Sequence, residues 1–290
     1  MSGQGFVVVT SASGVSDAEA AQVADASNGT EPRRLADSAV DFALSSAPDV
    51  EALRTQFQHF DLNWVPERNR EKKLLIADMD STMISVECID ELADFAGVKD
   101  EVSRITELAM QGELDFEEAI LARVGLLRDL PVASLSDCYA ERVKLNPGAW
   151  SLVQTMNARG AVTALVSGGF DYFTGRVAEE VGFASHQANV LLERDGRLTG
   201  DVGRPILGRA AKLEALGEKL RENGLGFEEV IAVGDGANDL DMITASGLGV
   251  AYHAKPALAE AADARLDHSD LTALLALQGI PQSSWITRDH

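Results

Sequence analysis

Two aspartates follow a short apolar segment of the chain. Leu74 to Ala77 is a continuous apolar run, typical of a parallel strand that is buried on both faces, and Asp78 and Asp80 come just after it. Residues two apart in extended backbone point to the same side, so their carboxylates repel each other unless a hard cation such as Mg²⁺ binds between them. One carboxylate could then act as a nucleophile and the other as a general acid/base. An Asp-x-Asp pair alone is more often a solvated loop or a helix cap.

A second apolar run, Val162 to Val166, ends in Ser167, Gly168 and Gly169. The serine hydroxyl can hydrogen-bond a phosphate oxygen, and the glycines allow backbone N–H groups to approach an anion closely. An ordinary strand-to-helix turn with a capping serine is the alternative explanation.

Lys212 lies near the start of a segment whose leucines recur at helical spacing, at Leu213, Leu216 and Leu220. Its ammonium could hold a phosphate as a point charge, although a single lysine is far more often solvated.

The run from Val230 to Val233 is another buried-type strand, which ends in a Gly-Asp-Gly sequence around Asp235. Asn238 and Asp239 follow and open a helix. The carboxylate of Asp235 could complete an oxygen-rich Mg²⁺ site at the same edge of the sheet.

In this order, the four segments resemble the haloacid dehalogenase superfamily of phosphohydrolases over about residues 72–280. The resemblance narrows to the phosphoserine phosphatase family through residues 86–92, 110–116, 122–131, 146–148 and 267–272. It implies a Mg²⁺-dependent enzyme that hydrolyses O-phosphoserine, in the last step of serine biosynthesis.

The resemblance also implies roles at the phosphate end of the site. Asp78 would be the nucleophile that forms an aspartyl phosphate, and Asp80 would be the acid/base. Mg²⁺ would be held by the Asp78 carboxylate, the Asp80 backbone carbonyl and Asp235. The phosphate would contact Ser167, Gly168, Lys212 and Asn238, and Asp239 would orient Lys212 or a metal-bound water.

The substrate's amino-acid part is expected to meet the insert that follows the first core strand. Glu87 would pair with the ammonium, and Arg123 would grip the carboxylate with two hydrogen bonds. Met110 and Phe116 would shield the pocket from water. Without the resemblance, Glu87 and Arg123 would be ordinary charges on helix faces.

Other functions stay open at this stage. A phosphatase or phosphotransferase for another small phosphomonoester would keep both aspartates, whereas a dehalogenase would not need Asp80. A non-catalytic amino-acid sensor would not need the full set of Asp78, Asp80, Lys212 and Asp235.

The composition limits the classes of molecule that the protein could bind. The net charge of −21 argues against a nucleic acid or an anionic membrane surface, and it requires a locally positive site for an anionic substrate. Neither a secretory signal nor a run of membrane-spanning length is present, so we expect a cytoplasmic protein with two buried free thiols, Cys88 and Cys138. A homodimer is left open.

The fold class predicted is α/β: a doubly wound parallel sheet with a helical cap inserted after the first core strand. The core would comprise residues 71–85 and 146–290, and four helices between 86 and 145 would form the cap. Residues 1–70 would form a small ferredoxin-like βαββαβ unit that resembles ACT-type domains, with 34–44 alternatively a helix and 49–60 helical. A structural or dimerising role is favoured for this unit, and residues 66–73 would be a linker.

Overall fold

The structure is a computed structural model that describes residues 3–110 and 113–288, apart from the side chain of Met110. The N-terminal part is an antiparallel sheet of order β2-β3-β1-β4 with two helices on one face, which confirms the βαββαβ order. The helical alternative for residues 34–44 is wrong, and the second helix is shorter than predicted because Phe57 and Phe60 turn into the core instead of continuing it. The elements are β1 (Gly5–Thr10), α1 (Asp17–Ser27), β2 (Arg33–Ala36), β3 (Ala39–Leu44), α2 (Val50–Gln56) and β4 (Asp61–Pro66).

The central sheet is parallel, with the order β12-β11-β10-β5-β6-β7. Alternate residues of β5 bury against opposite layers, Leu75 and Ala77 on one face and Leu74 and Ile76 on the other. The strands are β5 (Leu74–Ala77), β6 (Val162–Phe170), β7 (Ser185–Asn189), β10 (Val230–Gly234), β11 (Leu248–Tyr252) and β12 (Ala264–Leu266).

Helices cover both faces of this sheet, as the doubly wound prediction requires. The first set, α7, α8 and α12, shares a core with Leu75, and the second set, α9, α10 and α11, shares one with Leu74. Because β5 lies between β6 and β10, the direction of the chain's crossovers reverses at β5, and ligands bind at such a switch point. The helices are α7 (Ala149–Ala158), α8 (Asp171–Val181), α9 (Arg209–Asn223), α10 (Leu240–Ala245), α11 (Pro256–Ala261) and α12 (Ala273–Leu277).

The insert after β5 contains the four predicted helices, and a β-hairpin from the core packs against it. The hairpin turns at Asp195 and Gly196, both with positive φ, as a two-residue type I′ turn requires. Backbone bonds from Asp129 N–H to Leu198 and from Leu198 N–H to Leu130 join the hairpin to the insert. These elements are α3 (Cys88–Ala96), α4 (Lys99–Met110), α5 (Phe116–Gly125), α6 (Ala133–Arg142), β8 (Leu191–Arg194) and β9 (Arg197–Val202).

The N-terminal sheet is joined to the edge of the central sheet at β12. The Asn63 side chain donates to Arg265 O (3.0 Å) and accepts from Arg265 N–H (2.8 Å). The amide thus satisfies the backbone groups of Arg265 that a neighbouring strand would otherwise bond at this edge of the sheet. Asp61 accepts from the backbone N–H groups of Asp267 and His268. The predicted linker is part of this junction, since Arg70 and Lys72 within it are buried.

The cysteines and the lengths of the helices bear on two further expectations. Cys88 and Cys138 are buried free thiols, as predicted. Within the described ranges, none of the helices has the length and apolar character that a bilayer span requires.

Candidate active site

A buried line of charged side chains lies at the carboxyl ends of β5 and β10. The ammonium of Lys212, in the first turn of α9, lies 2.7 Å from Asp78 Oδ1 and 2.6 Å from Asp239 Oδ1, and all three side chains are almost completely buried. Burial alone would lower the pKa of Lys212, but Asp239 and Asp78 outweigh it and raise that pKa, so the ammonium stays charged. Burial, with help from Asp239 and Asp235, raises the pKa of Asp78 well above its usual range despite Lys212.

Asp80 is held by hydrogen bonds to both carboxyl oxygens. Cys88 N–H, at the start of α3, donates to Oδ1 (3.0 Å), and the Ser167 hydroxyl donates to Oδ2 (3.3 Å). Gly169 leaves the room for this arrangement, because a Cβ there would lie 2.4 Å from Asp80 Oδ2. Burial, reinforced by the charge of Glu87, raises the pKa of Asp80 to about 6. A carboxyl group with this pKa can both give and accept a proton near neutral pH.

Three carboxylates converge at the same point. Asp78, Asp235 and Asp239 each offer an oxygen, and these oxygens lie within 4.8 Å of one another. Burial and the charge of Asp239 raise the pKa of Asp235 to about 7. Such crowding of oxygen ligands with one sign of charge suits a hard divalent cation, so the residues fit the predicted metal site.

Asp235 and Asp239 differ in the hydrogen bonds that their carboxylate oxygens accept. Asp239 Oδ1 pairs with Lys212, and its Oδ2 accepts from the N–H groups of Asp235 and Gly236 (3.2 and 3.1 Å). Among the residues that the structure describes, the side chain of Asp235 has one long hydrogen bond, from the Thr82 hydroxyl to Oδ1 (3.4 Å). Asp235 is therefore the freer ligand, and Asp239 is placed to orient its neighbours.

The residues predicted to contact the phosphate lie around this cluster. Ser167 and Gly168 lie near the carboxyl end of β6, and the Ser167 hydroxyl oxygen accepts from Gly169 N–H (2.9 Å). Asn238 is half-buried in a short 3₁₀ turn, with its side-chain oxygen folded over Gly236.

The insert places two opposite charges near the aspartates. Glu87 is exposed at the start of α3 and accepts from the Ser81 hydroxyl (2.6 Å). Arg123, near the end of α5, is half-buried, and its Nε donates to Ala119 O (3.2 Å). Burial lowers the pKa of Arg123, although Asp90 and Glu87 oppose the shift. Across residues 3–110 and 113–288, neither Glu87 nor Arg123 takes part in an ion pair.

Phe116 begins α5 and lies against two glycines of the core. A Cβ on Gly168 would lie 3.2 Å from the Phe116 ring, and one on Gly208 would lie 2.9 Å from it. The partly exposed ring therefore lies over the gap between the end of β6 and the start of α9, beside the candidate site. The side chain of Met110, the other predicted shield, lies outside the described part of the chain.

Several residues that support the site were not predicted as site residues. Ser81 has a left-handed backbone (φ 54°), which often marks functional loops. The Asn146 amide donates to Thr82 O (2.8 Å) and Ile84 O (3.1 Å), so it anchors the loop that follows Asp80. The Ser-Thr pair at residues 81–82 and the Asn-Pro-Gly sequence at 146–148 are signals in the sequence that could have indicated these two positions. Nothing in the local sequence marks Asn189, whose side chain bonds Gly168 O.

Comparison with known proteins gives a consistent answer. Residues 75–244 match the haloacid dehalogenase-like hydrolase family. The phosphoserine phosphatase of Archaeoglobus fulgidus is 43% identical over 247 residues, which are 83% of this chain and 72% of that protein. The phosphoserine phosphatase of Methanocaldococcus jannaschii is 42% identical over 206 residues, which are 71% of this chain and 97% of that protein.

Solved structures agree with the sequence relatives. A HAD family hydrolase from Salmonella enterica serovar Typhi superposes with a TM-score of 0.86 at 30% identity and covers 94% of this chain and 98% of its own. A phospho-aspartyl intermediate analogue of phosphoserine phosphatase gives 0.67 at 42% identity, with coverage of 71% and 98%. The chain belongs to the haloacid dehalogenase-like hydrolases and, among them, to the phosphoserine phosphatase family.

Proposed function

We propose that this enzyme hydrolyses O-phosphoserine to serine and inorganic phosphate through an aspartyl phosphate, with Mg²⁺ as its cofactor. The observation that carries the proposal is the buried Asp78–Lys212–Asp239 line, with Asp80 bonded beside it. It supplies a nucleophile, a phosphate-binding cation and an acid/base within one water-poor pocket.

In the first step, a carboxylate oxygen of Asp78 attacks phosphorus as the bond from phosphorus to the serine oxygen breaks. The carboxyl group of Asp80 gives its proton to the leaving serine oxygen. Lys212, the Ser167 hydroxyl and backbone N–H groups near Gly168 neutralise the charge on the transferred phosphoryl oxygens. The products of this step are serine and a phosphorylated Asp78.

In the second step, the carboxylate of Asp80 takes a proton from a water molecule, whose oxygen attacks phosphorus. The bond between phosphorus and the Asp78 oxygen breaks, which releases inorganic phosphate and restores both aspartates. A pKa of about 6 lets Asp80 serve in both directions.

The cation would be held by the carboxylates of Asp78 and Asp235 and by the backbone carbonyl of Asp80, with Asp239 supporting them. When bound, Mg²⁺ supplies positive charge that keeps Asp78 ionised and neutralises the phosphoryl group. Burial, followed by the charges of neighbouring carboxylates, raises the pKa of Asp78 and of Asp235, and a bound cation would oppose both shifts.

The insert supports an amino-acid substrate. Glu87 and Arg123 carry opposite charges without ion-pair partners among the described residues, and the charge of Glu87 partly opposes the lowering of the Arg123 pKa by burial. A serine zwitterion offers an ammonium for Glu87 and a carboxylate for Arg123. A sugar phosphate would leave both charges unmatched, and that of Arg123 is half-buried. On this assignment the enzyme completes serine biosynthesis.

Phosphate release should be measured with phosphoserine, phosphothreonine and sugar phosphates, each with Mg²⁺ and with a chelator. We expect phosphoserine to give the highest kcat/KM, chelation to stop turnover, and added Mg²⁺ to restore it. A preference for a sugar phosphate would reject the substrate, and full turnover in chelator would reject the cofactor.

A further inference from the structure

Asn189, the last residue of β7, is buried and uses its whole amide group. Its Nδ2 donates to Gly168 O (2.9 Å) and to Leu207 O (3.1 Å), and its Oδ1 accepts from Leu207 N–H (2.7 Å). The side chain is 2% exposed, so these three bonds do not compete with water.

The two segments that Asn189 joins are those that carry the phosphate-binding groups. Gly168 follows Ser167 at the end of β6. Leu207 immediately precedes Gly208, the residue before α9, and the N–H of Lys212 bonds Gly208 O in the first turn of that helix. One buried amide thus connects the serine-glycine end of β6 with the base of the lysine helix.

The regular sheet does not hold Gly168 in place. The register between β6 and β7 shifts between Val166 and Phe170, so the ladder of backbone hydrogen bonds is interrupted where Gly168 lies. The Asn189 side chain supplies a bond to Gly168 O in this gap. The Phe116 ring lies against both Gly168 and Gly208. The insert therefore packs over the same two segments that Asn189 joins.

We propose that Asn189 is a positioning residue for phosphate binding, which sets the distance between the Ser167–Gly168 strand end and Lys212. The inference rests on the proposed phosphatase function. Displacing reacting groups by about 1 Å can cost on the order of a hundredfold in rate. Loss of the amide should therefore weaken the handling of the phosphoryl group whatever the alcohol attached to it.

Asn157 provides a matched control. Its amide also ties β6 to a neighbouring loop, since it accepts from the Thr163 hydroxyl (2.9 Å) and donates to Gly182 O (2.7 Å). Thr163 lies at the amino end of β6, opposite the end that carries Ser167. Asn157→Ala should therefore cost stability without touching the phosphate site.

The experiment compares Asn189→Ala and Asn157→Ala with the unmodified enzyme by three measurements. These are kcat/KM for phosphoserine and for an aryl phosphate, the inhibition constant of inorganic phosphate, and the thermal midpoint. For Asn189→Ala we expect kcat/KM to fall about tenfold to a hundredfold on both substrates, with a parallel rise in the phosphate inhibition constant. For Asn157→Ala we expect both constants within about threefold of the unmodified enzyme, despite a lower thermal midpoint.

Activity and phosphate inhibition that stay unchanged in Asn189→Ala, or that fall equally in both variants, would overturn the proposal. If Asn189→Ala does not fold, Asn189→Ser, which is too short to bridge the two segments, replaces it in the same comparison. An unmodified enzyme that releases no phosphate from either substrate would instead reject the proposed function, so the two failures are distinguishable.

Discussion

Two buried clusters of charge lie at different places in this chain, and they are built differently. The junction cluster consists of Asp41, Arg33 and Arg70, where the N-terminal sheet meets the core. Arg33 forms two bonds to Asp41 (2.9 and 2.7 Å), and Arg70 lies 2.7 Å from the same carboxylate. The remaining Arg70 donors bond Leu277 O and Ala276 O, and its guanidinium lies 4.2 Å from the Phe6 ring centre.

The site cluster, Asp78, Asp235, Asp239 and Lys212, has three carboxylates for one ammonium. Burial and the charge of Asp239 raise the pKa of both Asp78 and Asp235, whereas the junction carboxylate, among the described residues, bonds only to the two arginines. Each charge of the junction cluster has a partner, and the surplus positive charge belongs to Arg33, whose side chain is 57% exposed to water, so this cluster serves packing. A cluster with surplus negative charge in a buried place is incomplete without a cation or a reacting group, which is the property that a catalytic site needs.

The largest effect is expected in the site cluster, for Asp78→Asn. An amide is neither a nucleophile nor a good metal ligand, so we expect phosphate release to fall on the order of a thousandfold or more. The thermal midpoint in chelator should stay the same or rise, because the substitution removes a repelling charge from Asp235 and Asp239. Phosphate-release kinetics and a melting curve check both parts, and near-normal turnover would reject Asp78 as the nucleophile.

The junction cluster should respond in the opposite way. In Asp41→Asn, Arg70 loses its carboxylate while it stays buried, and breaking a buried pair costs roughly 3–5 kcal/mol of the free energy of unfolding. The kcat of the folded fraction should be unchanged. Asp17→Asn is the control, since Asp17 is exposed in its pair with Arg34 and should cost at most about 1 kcal/mol. Urea unfolding measures both, and equal costs would contradict the distinction between the pairs.

A smaller effect is expected at Arg123, which, like Glu87, has no ion-pair partner among the described residues. A charged hydrogen bond is worth roughly 1.5–3 kcal/mol, so Arg123→Ala should lower kcat/KM on phosphoserine about tenfold to a few hundredfold. An aryl phosphate has no carboxylate and should be nearly unaffected. Equal losses on both substrates would assign Arg123 to the support of the insert instead of substrate recognition.

The last prediction concerns how the free energy of unfolding of the metal-free protein depends on pH. Folding raises the pKa of Asp235 from 3.8 to about 7 and that of Asp80 to about 6. Between these limits the native state binds more protons than the unfolded state, so stability falls as pH rises from about 4 to about 7. In chelator, Asp235→Asn should flatten this fall, and Mg²⁺ should reduce it in the unmodified protein. Urea midpoints at several pH values test this, and an equally steep fall in Asp235→Asn would contradict it.

The sequence predicted the elements well where a local pattern decides them. The apolar run before Asp78 becomes β5, and the apolar run before Ser167 becomes the first part of β6. The four insert helices follow from periodicity alone. The error at residues 57–60 arose because Phe57 and Phe60 extend a helix-like apolar pattern, while burial against the N-terminal sheet decides their conformation.

The candidate site was predictable in part for the same reason. Parallel strands that end in polar residues bring those residues to one edge, so Asp78, Ser167 and Asp235 could be expected to meet. The different engagement of Asp235 and Asp239 could not be predicted, since each carboxylate's partners depend on how the turn after β10 folds onto α9.

By itself, the sequence determined the kinds of element, their order and the chemistry at the ends of the core strands, because apolar periodicity and turn residues act over a few neighbours. Only the tertiary structure decided which distant groups meet. Arg70 bonds a carbonyl 207 residues away, and Asn63 completes a strand edge 202 residues away. Asn189 joins two phosphate-site segments 21 and 18 residues distant. Such contacts carry no local signal, because a side chain's partners are set by which backbone groups packing leaves unsatisfied beside it.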